Sequence, residues 1–120
     1  MKIAISATGN DLCSTLDARF GRTSQFIIYD LDNDSYISVD NEQNLTSAQG
    51  AGIQSAQTII KAEAEAVITG NVGPNAFRTL TAGNVDIYLG TGLTVQEAID
   101  KFKNGTLQKA SGNNVEGHWM

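Results

Sequence analysis

Ala66-Val67-Ile68-Thr69-Gly70-Asn71-Val72-Gly73-Pro74-Asn75-Ala76 carries the chain from one kind of structure into another. Ala66 to Thr69 is a short apolar run closed by Gly70, the pattern of a buried strand. Pro74 suits the first turn of a helix, where its fixed φ fits and its missing N–H is no loss. Ala76, Phe77 and Leu80 then give that helix a core face, and Gly83 stops it. The same unit recurs directly. Val85 to Leu89 is an apolar strand ending in Gly90. Thr94-Val95-Gln96-Glu97 is a capping box, in which Thr94 and Glu97 satisfy orphan N–H groups. Val95, Ala98, Ile99 and Phe102 follow at helical spacing, and Gly105 ends the run. A strand–helix–strand–helix series calls for parallel strands joined by right-handed crossovers.

The rest of the chain is read outward from that unit. A helix is expected from Gln49 to Glu65, with Ile53, Ala56, Ile60 and Ala64 on its core face. Upstream, Lys2 to Ala7 is an apolar strand, so the opening residues read as a first strand and not as a signal peptide. Gln25 to Leu31 and Ser35 to Val39 are two more strands. Asp32-Asn33-Asp34 between them supplies turn chemistry, which makes the pair a hairpin. The expected order is βββαβαβα. It predicts an α/β, ribonuclease H-like three-layer fold with a mixed five-stranded sheet. The first strand would lie beside the fourth, with the hairpin to one side. One domain spans residues 1–107, and the polar segment 108–120 reads as a flexible tail.

Of the 120 residues, 41% are hydrophobic and 18% charged, which is enough apolar material for one core. The net charge is −5. Nucleic-acid binding relies on clustered Lys and Arg, so an acidic chain with only eight of them argues against a nucleic-acid partner. No stretch approaches the roughly 20 apolar residues of a membrane span. The single cysteine, Cys13, cannot form an internal disulfide, which points to a reducing, cytoplasmic setting.

The polar stretch from residue 9 to 24 is long for a loop in a compact domain, and such loops are often functional. It holds Gly9, Asn10, Cys13 and the turn Arg19-Phe20-Gly21-Arg22. Two guanidiniums on a glycine-hinged turn can clamp a delocalised anion; alternatively, they pair with Asp17 or Asp11 at the surface. Gly70, Asn71 and Gly73 follow one strand, and Gly90 and Gly92 follow another. Ligands of open α/β sheets bind beyond the carboxyl ends of the strands, where strand order reverses. Two of these loops lead into helix N-termini, whose N–H groups favour anions. Gly50-Ala51-Gly52 at the first helix either permits a close approach or simply packs tightly. Cys13 is a candidate soft-metal ligand. With one Cys and one His, a protein-ligated zinc or iron–sulfur site is not expected. His118, Trp119 and Met120 read as a loose end. No Gly-Lys-Ser/Thr phosphate loop, dinucleotide fingerprint or Gly-x-Ser-x-Gly elbow is present. The first strand has no carboxylate of the kind a two-metal nuclease needs. The pattern is that of a binding protein and not of an enzyme.

Four ordered blocks carry a family likeness: Leu16-Asp17-Ala18-Arg19-Phe20-Gly21-Arg22, Gly50-Ala51-Gly52, Val67 through Ala76, and Gly92-Leu93-Thr94-Val95-Gln96-Glu97-Ala98-Ile99. Through them the chain resembles the nitrogenase iron–molybdenum cofactor biosynthesis accessory family, of the NifX and NifB C-terminal type. The resemblance implies a ribonuclease H-like fold. It also implies non-covalent carriage of an anionic metal–sulfide cluster, either a molybdenum–copper sulfide cluster or an iron–molybdenum cofactor precursor. The cofactor-binding set would be Gly9, Asn10, Arg19, Phe20, Arg22, Gly70, Asn71, Gly73, Gly90 and Gly92, with Cys13 as the metal-ligand candidate. Protein partners would belong to cofactor delivery or to a cell-division complex. Two rivals stand beside it: a phosphate-ester-binding module or enzyme using the same loops, and an interaction module without a small ligand.

Overall fold

The structure, a computed structural model, describes residues 1–41 and 51–112. Its elements are β1 (Lys2–Ala7), β2 (Gln25–Asp30), β3 (Ser35–Asp40), α1 (Ala51–Lys61), β4 (Ala64–Thr69), α2 (Pro74–Ala82), β5 (Asp86–Leu89), α3 (Val95–Lys103) and β6 (Gln108–Lys109). The sheet runs β3-β2-β1-β4-β5-β6. β1 pairs parallel with β4, and β4 with β5; β2 is antiparallel to both β1 and β3. The hairpin therefore flanks the parallel centre, as its turn chemistry and the crossover rule require.

Alternation along the strands builds two cores, one on each sheet face. Ala4, Phe26, Ile28, Val67 and Ile87 pack with Ala56 and Ile59 of α1 and with Ala76 and Leu80 of α2. Ile3, Ile5, Ile27 and Ile68 pack with Val95, Ala98 and Ile99 of α3. Burial on both faces explains why Ile3, Ala4 and Ile5 of β1 and Ala66, Val67 and Ile68 of β4 are apolar at every position instead of alternating.

Three expectations need correction. The sheet has six strands, not five. Gln108–Lys109, read as the start of a tail, pairs antiparallel with Tyr88 and Leu89. A two-residue polar strand leaves no hydrophobic signal; only the edge of β5 selects it. The first helix ends at Lys61 and not at Glu65: Glu63 takes φ 67°, and Ala64 and Glu65 already belong to β4. Its buried face holds Ala51, Gly52, Ser55, Ala56 and Ile59, while Ile53 and Ile60 sit at the margins. Ala64 kept the helical spacing by coincidence. The reading of Gln49 and Gly50 as helix, and of His118 to Met120 as tail, falls outside the described residues. Among the described residues no helix is long and apolar enough to cross a membrane.

Candidate functional site

Parallel β1, β4 and β5 end on one edge, which gathers the loops that follow them. The long loop from Thr8 to Ser24 lies across this edge and is fastened to both neighbours. Thr8 N–H donates to the Thr15 carbonyl at 3.0 Å, closing the loop on itself, and Asp17 N–H donates to Ser6 at 2.8 Å. On the β4 side, Asn71 N–H donates to the Ala18 carbonyl at 2.6 Å and Phe20 N–H to the Asn71 carbonyl at 3.3 Å. Arg19 and Asn71 form an isolated parallel bridge, so the arginine stands beside the glycine-rich turn after β4. On the β5 side, Leu16 N–H donates to the Leu93 carbonyl at 2.9 Å, and Thr15 bridges Thr94.

A polar scaffold lies under the edge, and the residue pattern did not single it out. Ser6 Oγ donates to the Asp17 carbonyl at 2.6 Å and sits 2.8 Å from Thr69 Oγ1, so the last turns of β1 and β4 are locked to the loop. Thr23 Oγ1 donates to the Ala7 carbonyl at 2.8 Å, and Asn41 Nδ2 reaches the Thr23 carbonyl at 2.9 Å and Ser55 Oγ at 3.0 Å. Ser6, Thr23, Asn41, Ser55 and Thr69 are all fully buried. The available sequence signal was Ser6 and Thr69, small hydroxyl residues inside apolar runs. Buried hydroxyls need partners, and here each finds one.

The expected site residues are not equivalent. Arg19 is the outward group, with 63% of its side chain exposed. Its Nε lies 3.4 Å from Asp17 Oδ1, so an exposed guanidinium is paired with a buried carboxylate. Arg22 is half-buried on the same loop. Phe20 corrects an expectation: it is wholly buried, 5.3 Å from the Phe26 ring, and anchors the loop from beneath instead of facing a guest. Burying such a ring stabilises by about 1.5–3 kcal/mol. Gly70 is also buried, and there the loops meet closely: a Cβ would lie 2.8 Å from Ala18 Cβ. Gly73 caps α2 with no side-chain bond, and Pro74 opens the helix. Gly92 is exposed at φ 71°, the left-handed region that favours glycine. Asn10 is exposed, and Gly9 and Gly90 are half-buried. Cys13 is an exposed free thiol; its N–H donates to Asp11 Oδ1 at 3.0 Å within a tight turn.

The α3 N-terminus overturns another expectation. Val95 N–H donates to the Ser14 carbonyl and Gln96 N–H to the Leu12 carbonyl, both at 2.9 Å, while Glu97 N–H is taken by Thr94 Oγ1 at 3.1 Å. The capping box is present as read, but with the loop it consumes the donors that would have met an anion. Two cavities, of about 350 and 370 Å³, lie toward the other end of the sheet, one beside Asn84 and Asp86, the other beside Lys2 and Glu63. Among the described residues no three of His, Cys, Asp and Glu gather to hold a metal ion.

Fold and edge together define a small α/β protein whose post-strand loops are hydrogen-bonded into one rim carrying an arginine. The chain belongs to the dinitrogenase iron–molybdenum cofactor family, whose model matches residues 1–105. It is similar to the apo form of the orange protein from Desulfovibrio gigas, at 37% identity and a TM-score of 0.93, with 95% of this chain and 96% of that one covered. It is also similar to a NifB-like protein of the DUF35 family from Thermotoga, at 40% identity and a TM-score of 0.85, over 97% and 98% of the two chains. An uncharacterized protein of Methanocaldococcus jannaschii is 29% identical over 111 residues, 91% of each chain. Family and neighbours support a cofactor-related carrier or accessory role.

Proposed function

We propose that the protein is a non-catalytic carrier for an anionic metal–sulfide cluster, containing molybdenum with copper or iron, held without covalent attachment on the rim formed by residues 8–24, 70–73 and 90–94. The carrying observation is the backbone bridge between Arg19 and Asn71, which sets an outward guanidinium beside a glycine turn on a fixed frame. The donor set suits such a guest. Sulfide clusters bring their own sulfur ligands and spread negative charge over them. A guanidinium and backbone N–H groups meet that charge by hydrogen bonds, without a protein-built coordination sphere. Arg22 adds a second cation from the same loop. Cys13, exposed on that loop, is available as one soft ligand. The order β3-β2-β1-β4-β5, with β2 antiparallel, supports reading the frame as ribonuclease H-like with an added strand.

The test is anaerobic reconstitution with tetrathiomolybdate and copper, followed by gel filtration and visible spectroscopy. A protein-bound chromophore is expected for the wild type, with at least a roughly tenfold loss of retention in Arg19→Ala/Arg22→Ala, since each charge-assisted contact is worth about 1.5–3 kcal/mol. A chromophore retained equally by both proteins would rule out the arginine rim.

A further inference from the structure

We infer that Asp17 is a positioning residue for Arg19: its carboxylate holds one side of the guanidinium and so turns the other side toward the guest. This inference rests on the carrier reading above. Asp17 is itself immobilised by β1. Its N–H donates to the Ser6 carbonyl at 2.8 Å, and its carbonyl accepts from Ser6 Oγ at 2.6 Å. Only 9% of its side chain is exposed. From that fixed point Oδ1 accepts two bonds from one residue, Arg19 N–H at 2.9 Å and Arg19 Nε–H at 3.4 Å. The first bond shapes the turn; the second sets the plane of the guanidinium.

A guanidinium has five N–H donors in a rigid fork. Asp17 engages the Nε donor, and the remaining four belong to the terminal nitrogens of a side chain that is 63% exposed. An arginine so held loses less freedom when it meets an anion, which is the gain from preorganisation. The same carboxylate also sets a negative charge beside the cation and so weakens its pull on an anionic guest. Geometry and charge act in opposite directions, an arrangement suited to cargo that must be released.

The two contributions separate by substitution. Asp17→Asn keeps an oxygen acceptor at the Oδ1 position and removes the charge. Asp17→Ala removes both. Asp17→Ser can still accept from the turn N–H but does not reach Nε, and it carries the comparison if the alanine variant fails to fold. Tetrathiomolybdate with copper is titrated anaerobically into each full-length protein, and Arg19 Nε–H order is read by ¹⁵N relaxation in the unliganded state. Asp17→Asn should keep Arg19 ordered and bind several-fold more tightly than wild type. Asp17→Ala and Asp17→Ser should leave Nε–H disordered and bind roughly tenfold more weakly than Asp17→Asn, which has the same charge. Equal affinities among the three variants, in proteins that do bind, would overturn the positioning role and leave the carrier reading standing. Absence of binding by the wild type would overturn both.

Discussion

A methyl group on Gly70 would lie 2.8 Å from Ala18 Cβ, 2.9 Å from Ala18 Cα and 3.0 Å from the Ala18 carbonyl oxygen. Two of those atoms are backbone, so the contact cannot be relieved by a rotamer change. Gly70→Ala must push the long loop off the end of β4, at a cost of about 1–3 kcal/mol, the range for overpacking. Urea unfolding should show a lower midpoint with the slope unchanged. An unaltered midpoint would mean that the loop yields freely and that the rim is not rigid. The sequence marks Gly70 as special but not the reason, because the colliding partner is fifty-two positions upstream. Phe20 teaches the same lesson from the other side. Between Arg19 and Gly21 it reads as part of the clamp, yet its ring belongs to the core with Phe26.

At the scale of elements, features governed by near neighbours are legible and those governed by distant partners are not. The Thr94 capping box, Pro74 at the start of α2 and the Asp32–Asp34 turn depend on residues within a few positions. The end of α1, the polar β6 and the covered N-terminus of α3 depend on pairing across the molecule, which spacing alone does not encode. One distant contact joins the hairpin tip to α3. Tyr29 Oη donates to Asp34 Oδ1 at 2.8 Å, and Lys103 Nζ lies 3.4 Å from the same oxygen and 5.4 Å from the Tyr29 ring centre. The Tyr29 hydroxyl first, and Lys103 after it, hold the Asp34 carboxyl below the usual aspartate range. A carboxylate whose pKa is depressed by folding stabilises above its unfolded value, near 3.9, and that contribution disappears as pH falls through the lowered folded value. Asp34→Asn should therefore be modestly less stable than wild type at pH 6, and the two should converge as pH drops below about 4. Because the group is exposed, added salt should shrink the difference at pH 6 as well. A gap between the two proteins that persists unchanged to pH 2 would rule out this ion pair as its source.

Over the whole molecule, the sheet sets all three parallel strand ends on one edge, and the loops there bind each other before they bind anything else. Their mutual hydrogen bonds use much of the backbone polarity that glycine-rich loops suggest is available to a ligand. What is left outward is narrower than the residue pattern implied: Asn10, Cys13 and the Arg19 arm on the long loop, and Gly92, with Arg22 half-buried on that same loop. The placement of β1 beside β4, with the hairpin to one side, was readable because it follows from crossover rules applied to a clear alternation of elements, whereas β6 was not. The division of the rim into supporting and outward groups was not, since it depends on which carbonyl each N–H finds. The most direct measurement is a ¹H–¹⁵N chemical-shift map of the protein titrated anaerobically with tetrathiomolybdate and copper. The cluster-carrier account expects saturable shifts centred on residues 8–24, 70–73 and 90–94. Shifts centred instead on the cavity walls near Lys2 and Glu63 or near Asn84 and Asp86, or no saturable shift at all, would contradict it.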